Sequence, residues 1–229
     1  MKTIGLIGGM SWESTLAYYR TINRATAAAL GGLHSAPLVL DSLDLAEVAR
    51  LQYAGRWDAL GEMMAASARK LERAGADLLV LATNTMHKLA PQIEAATTVP
   101  LLHIADATAD AAHAQGITTV GLLGTRFTME QAFYRDRLEA NGLAVLTPPD
   151  AERQAVHDVI YDELCQGIFQ EPSRQAYREV IAGLARRGAE GVVLGCTEIG
   201  LLVGPDDAPV PLLDTAEIHA RRAVELALA

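Results

Sequence analysis

The chain has 229 residues, half of them hydrophobic, with 28 acidic against 19 basic side chains and a formal net charge of −9. That length holds one large domain or two lobes of about 100 residues, each able to bury a core, and the apolar content excludes a disordered chain. Acidity without any Lys/Arg cluster excludes a nucleic-acid partner, which needs a basic face, and no apolar run approaches the roughly 18 residues of a bilayer span, so no membrane association is expected.

The opening residues MKTIGLIGGMSWEST place a single Lys before a short apolar run with no small-residue cleavage site behind it, and read as a buried strand, not a signal peptide. Two cysteines, Cys165 and Cys196, in such a chain argue against a disulfide framework and for a cytoplasmic location. The first predicted strand is Thr3–Ile7. Gly8-Gly9-Met10-Ser11 then gives the turn the backbone freedom for close approach of a ligand, with Ser11 as the N-cap of the next helix. The pattern lacks the third glycine and the later acidic residue of a dinucleotide fingerprint, so no cofactor is expected.

Further strands are predicted at Pro37–Leu40, Leu78–Leu81 and Leu101–Ile104, with an amphipathic helix over Asp58–Ala74. After the third strand, Thr83-Asn84-Thr85 offers N–H groups, two hydroxyls and an amide suited to a carboxylate, although such residues more often cap a helix. His87, one turn on, is in reach of the same place, but a lone His on a helix is more often a surface or cap residue.

The second half repeats the alternation, with strands predicted at Thr119–Leu123, Ala144–Leu146, Val192–Leu194 and Pro211–Leu213. Gly124-Thr125-Arg126 follows the first of these. A helical pattern over Val156–Phe169 carries Cys165 as a core residue, and Ser173 is read as the N-cap of a helix over Ser173–Arg187. Cys196 follows Gly195 at the end of the Val192–Leu194 strand and precedes a predicted helical turn. There the helix dipole is expected to lower its thiol pKa from about 8.5, the plainer alternative being a small buried hydrophobe. The six histidines show no metal-ligand spacing, so no metal is expected, and no G-x-S-x-G nucleophile elbow occurs.

The most informative pattern is an internal repeat. Thr3-Ile4-Gly5-Leu6-Ile7-Gly8 matches Thr119-Val120-Gly121-Leu122-Leu123-Gly124, and Val99-Pro100-Leu101-Leu102 matches Val210-Pro211-Leu212-Leu213. Between them the segment 75–85 lies against 188–198, which sets Thr83 and Cys196 at equivalent positions just past two strand ends. The predicted fold class is α/β, with two pseudo-symmetric lobes, each a mostly parallel four-stranded sheet flanked by helices. Ligands of open α/β sheets bind beyond the carboxyl ends of strands, so the site is expected between the lobes. The expected boundaries are 1–104 joined by the C-terminal segment 208–229 for the first lobe, and 105–207 for the second.

Three motifs in order, Ile4-Gly5-Leu6-Ile7-Gly8-Gly9-Met10-Ser11, Thr83-Asn84-Thr85-Met86-His87 and Gly195-Cys196-Thr197-Glu198-Ile199, resemble the aspartate/glutamate racemase family of pyridoxal-independent amino-acid racemases. The resemblance spans essentially the whole chain and is closest to a subgroup with a Thr/Cys pair in place of two cysteines. It implies Rossmann-like lobes, a homodimer, and proton exchange with opposite faces of a substrate Cα by one residue from each half. Cys196 would serve the L-enantiomer and Thr83 the D-enantiomer. An alcohol is a far weaker acid than a thiol, so a preference for L-substrates is expected. Without pyridoxal phosphate the carbanion must be held as an enediolate by positioned donors. Met10, Gln52, Asn84, Thr85, Thr125, Thr197 and Glu198 are the expected substrate-binding residues, with Gln52 preferred over Arg50 and Arg126 for the side-chain carboxylate. The expected activity is cofactor-independent racemisation of aspartate or glutamate. The alternatives are a single-thiol decarboxylase or isomerase of the same superfamily, and a non-catalytic acidic amino-acid binding protein.

Overall fold

The glycine-punctuated apolar run near the N-terminus forms β1 (Ile4–Gly8), every residue of which is buried. In the computed structural model, which describes residues 1–229, it is followed by α1 (Trp12–Leu30), β2 (Leu38–Ser42), α2 (Leu45–Tyr53) and α3 (Trp57–Arg73). Then come β3 (Leu78–Leu81), a 3-10 turn (Thr85–Leu89), α4 (Ala90–Ala96) and β4 (Leu101–Leu102). The chain continues through α5 (Ile104–Ala114), β5 (Thr119–Gly124), α6 (Arg126–Glu130), α7 (Ala132–Ala140), β6 (Ala144–Leu146) and α8 (Asp150–Asp162). A 3-10 turn (Leu164–Gln166), α9 (Glu171–Arg186), β7 (Gly191–Gly195), α10 (Ile199–Leu202), a last 3-10 turn (Pro205–Asp207), β8 (Leu212–Asp214) and α11 (Thr215–Leu228) complete it.

The strands form two four-stranded sheets, in the orders β2-β1-β3-β4 and β6-β5-β7-β8, and every pairing is parallel. The recurrence of one strand order is the structural form of the sequence repeat. Central strands β1, β3 and β7 are buried at every residue, which is why they read as continuous apolar runs without alternation. The two halves also start their strands alike. The Asp77 carboxylate accepts from Thr3 N (2.7 Å), and the Glu190 carboxylate accepts from Thr118 N (2.7 Å) and Thr119 N (2.9 Å).

Helix α3 shows how the apolar period becomes a core. Leu60, Met64, Ala68 and Leu71 fall on one face, are buried, and pack with Ile7, Leu79, Leu81 and Ile93. Each such side chain contributes about 1.5–3 kcal/mol relative to an exposed position. In the second sheet, β7 has apolar neighbours in two clusters: Val192 and Leu194 in one with Tyr177, Ile181 and Leu184, and Val193 in another with Ile104, Val120, Tyr134 and Leu138.

Three expectations need correction. Met1–His103 with His219–Ala229 forms one compact unit and Ile104–Ile218 the other, so residues 208–218 do not join the first lobe. The reason is that β8 hydrogen-bonds into the second sheet, with Val192 opposite Leu212, and the returning chain joins the first unit only from His219. Helix α8 stops at Asp162, and the turn after it closes on Gly167 in the left-handed conformation, which ends the predicted helix over Val156–Phe169. Cys165 therefore sits on a 3-10 turn, half-buried, still packed against the apolar cluster of its unit. Ser173 does not cap α9. The N-cap is Gln170, Pro172 lies in the first turn, and the Ser173 hydroxyl donates to Glu163 at 2.6 Å. No helix is long and apolar enough to cross a membrane.

Candidate active-site residues

In the first unit, the turn after β1 requires glycine at position 9. Its φ is +85°, and a Cβ there would strike the Leu43 backbone. Gly9 N donates to Thr15 Oγ1 (2.7 Å), and Ser11 Oγ accepts from Ser14 N (3.2 Å), the N-cap that the sequence predicts. Met10, expected at the substrate, turns its side chain into the apolar cluster of this unit and is 6% exposed.

Thr83 lies two residues past β3, held by Thr83 N to Leu81 O (2.8 Å) in a chain already tied to β1 by Ala82 N to Ile7 O (2.9 Å). Thr83, Asn84 and Thr85 are all buried, and Asn84 makes no side-chain cap bond to the 3-10 turn it precedes. Gln52, buried on α2, points its amide at the weak acceptor Met86 Sδ (3.2 Å). Arg50, on the same helix, is exposed.

His87 is not a surface residue. It is buried, and its Nδ1 lies 2.7 Å from Thr83 O; a carbonyl only accepts, so Nδ1 carries the proton. Its ring is 4.6 Å from that of His103 and 5.8 Å from that of His219. His219 Nε2 lies 3.0 Å from Leu102 O, and by the same reasoning its Nδ1 accepts from the Tyr18 hydroxyl at 2.8 Å. Desolvation, reinforced by the neighbouring imidazoles, holds His87 well below the usual histidine range and pushes His219 down to about 4. A neutral His87 ring therefore holds the backbone at Thr83, and a neutral His219 ring holds it at Leu102. Sequence reasoning passed over His103 and His219 because nothing local marks them.

In the second unit, β5 and β7 pair so that Gly124 lies opposite Gly195. A Cβ on Gly195 would come within 2.6 Å of Leu123 O, and one on Gly124 within 2.7 Å of Gly195 O. Glycine at both positions lets the two strand ends close together, with Thr125 and Cys196 as the next residue of each chain. Thr125 caps α6, accepting from Thr128 N at 3.4 Å. Arg126 is held by Glu130 (3.1 Å) and Gln154 (3.0 Å) on the surface, with half of its side chain exposed.

Cys196 is buried, and its Sγ donates to Glu198 Oε2 at 3.0 Å. The Thr197 hydroxyl donates to the same oxygen at 2.8 Å, and Glu198 itself is 1% exposed. Burial first, and the Glu198 charge second, push the Cys196 thiol well above its ordinary range. This reverses the predicted lowering. Helix α10 begins only at Ile199 and has four residues, so it offers little dipole, whereas a carboxylate touches the sulfur. The resting group is a thiol hydrogen-bonded to a carboxylate. Nowhere do three or more His, Cys, Asp or Glu side chains converge as metal ligands.

Comparison with known proteins gives the family. The family model for Asp/Glu/hydantoin racemases matches residues 7–223. The crystal structure of a candidate Asp/Glu racemase from Yersinia pestis is 55% identical, with a TM-score of 0.92 and full coverage of both chains. That of an aspartate racemase homologue from Pyrococcus horikoshii OT3 is 35% identical, with a TM-score of 0.86 and again full coverage of both. A broad specificity amino-acid racemase of Bacillus subtilis is 27% identical over 164 residues, 70% of this chain and 69% of that one. The chain belongs to the Asp/Glu/hydantoin racemase family.

Proposed function

We propose that the protein is a cofactor-independent racemase of aspartate or glutamate that moves a proton on and off the substrate Cα, with Cys196 serving the L-enantiomer and Thr83 the D-enantiomer. The observation that carries this reading is the Cys196 thiol bonded to a buried carboxylate at the end of β7. Thr83 stands just past β3, the counterpart of β7 in the repeated strand order. Family membership supplies the reaction class. The enediolate left by Cα deprotonation needs fixed donors, and Asn84, Thr85, Thr125 and the main-chain N–H of Thr197 are assigned to it, the Thr197 hydroxyl being already given to Glu198. Gln52 is assigned to the side-chain carboxylate, and Met10 contributes its main chain at the glycine turn.

Chiral chromatography of L- and D-aspartate and L- and D-glutamate after incubation tests the proposal. The appearance of the opposite enantiomer is the expected result. Carbon dioxide release from a disubstituted malonate, without racemisation, would favour a single-thiol decarboxylase. Thermal stabilisation by aspartate with no turnover would favour a binding protein. The reading also takes the protein as a cytoplasmic homodimer. Trp12, Leu16 and Tyr19 form an exposed apolar stripe at helical spacing on α1, 62, 52 and 52% exposed, and are assigned to that contact. Sedimentation analysis should show a dimer that Leu16→Glu converts to a monomer.

A further inference from the structure

Glu198 stands out among the buried groups because it is an acidic side chain, 1% exposed, whose Oε2 receives both the Cys196 S–H (3.0 Å) and the Thr197 O–H (2.8 Å). Of its neighbours, Cys165 on the 3-10 turn after α8 and Tyr177 on α9 are held protonated by burial and offer the sulfur no acceptor. The Tyr177 hydroxyl is committed to Val156 O at 3.0 Å. A thiol must lose its proton before it can take one from carbon, and Cys196 is only 8% exposed, so little water reaches the sulfur, whose S–H already points at Glu198 Oε2. The acceptor has to be a group already in contact with it. A substrate-binding role suits Glu198 poorly, since a carboxylate repels the carboxylates of an acidic amino acid.

We infer that Glu198 is a catalytic residue that takes the Cys196 proton and holds it through the reaction, making sulfur and carboxylate one acid/base pair. The Sγ–H bond breaks as Oε2–H forms. The thiolate then removes the substrate proton, so S–H re-forms as Cα–H breaks, and the negative charge that began on Glu198 ends on the enediolate. The reverse sequence returns the proton to carbon and restores the carboxylate. Burial and the adjacent carboxylate hold the Cys196 thiol well above its ordinary range, so the thiol/carboxylate form predominates and the transferred form is a minor, transient state. Thr197 keeps Oε2 oriented between the two donors.

This inference rests on the proposed Cα chemistry, and two readouts separate their failures. The first is exchange of the Cα proton of L-aspartate and L-glutamate in deuterated water. Glu198→Gln should slow it by about 100-fold or more, the usual range for losing a general base. The residual rate should rise about tenfold per pH unit, because bulk base must then do the work. The second readout is alkylation of Cys196 by iodoacetamide against pH, with Cys165 distinguished by peptide mapping. In Glu198→Gln its midpoint should move to lower pH, since a neighbouring negative charge is gone. Slower exchange with undiminished thiol reactivity establishes Glu198 as the proton acceptor. Exchange within threefold of wild type, or parallel loss of both readouts, overturns the inference. If Glu198→Gln does not fold, Glu198→Asp decides it: an exchange loss of at least about tenfold with the thiol still reactive supports the pair, and wild-type exchange refutes it. If the wild type exchanges no acidic amino acid, the Cα chemistry fails, and the alkylation midpoint alone tests the pair, an unchanged value in Glu198→Gln overturning it.

Discussion

The ends of β3 and β7 occupy the same place in two copies of one topology, yet their chemistry differs. Past β7, a thiol and a hydroxyl both donate to one buried carboxylate oxygen. Past β3, the corresponding residue is an alcohol, and its carbonyl is pinned by a buried neutral imidazole. A duplicated backbone thus preserves where a side chain sits without preserving what it can do. On the proposed chemistry one end releases and recaptures a proton, while the other has its main chain held still at Thr83.

The sharpest way to break this contrast is Cys196→Ala, which removes the titrating group from the β7 end. Exchange of the L-enantiomer should fall by about 10³-fold or more while the fold remains, because a small side chain replaces a small one. Kinetics of L-substrate turnover together with far-UV circular dichroism check both parts.

Acid attacks the other half. His219 has a folded pKa of about 4, so the folded state refuses a proton that the unfolded chain accepts near 6.5. The stability this supplies is complete above about 6.5 and is lost progressively as the pH falls toward 4, amounting to about 3 kcal/mol. His87, shifted the same way, adds to the loss. Urea denaturation at a series of pH values should show this decline, and His219→Gln should flatten it relative to wild type.

Thr83→Cys sharpens the comparison from the opposite side by giving the β3 end a thiol. Exchange of D-substrates should rise by about tenfold, while L-exchange changes little. The gain is expected to be modest, because no acidic residue follows at position 85 to receive the new thiol's proton as Glu198 does beside Cys196.

The fold was legible because the central strands are apolar on both faces and the repeat aligns them in pairs. Leu78–Leu81 and Ala144–Leu146 coincide residue for residue with their predicted spans. The boundary at 208 was not legible, since a strand pattern at Pro211–Leu213 does not say which sheet it joins. Candidate residues beside strand ends could be picked out in the sequence, but the directions of their side chains could not. Glu198 reads as part of a helical turn in the sequence, and only its actual rotamer brings the carboxylate back to the sulfur, reversing the predicted thiol shift. The histidine support was hidden for a different reason: Tyr18 and His219 are 201 residues apart, beyond any local pattern.

The most direct measurement is the ratio of Cα-proton exchange rates for the two enantiomers of aspartate and of glutamate in deuterated water, using the wild-type protein. The L-form should exchange about tenfold faster or more, and Cys196→Ala should abolish that advantage. Equal, rapid exchange of both enantiomers, or an L-rate indifferent to the loss of the thiol, would contradict the account.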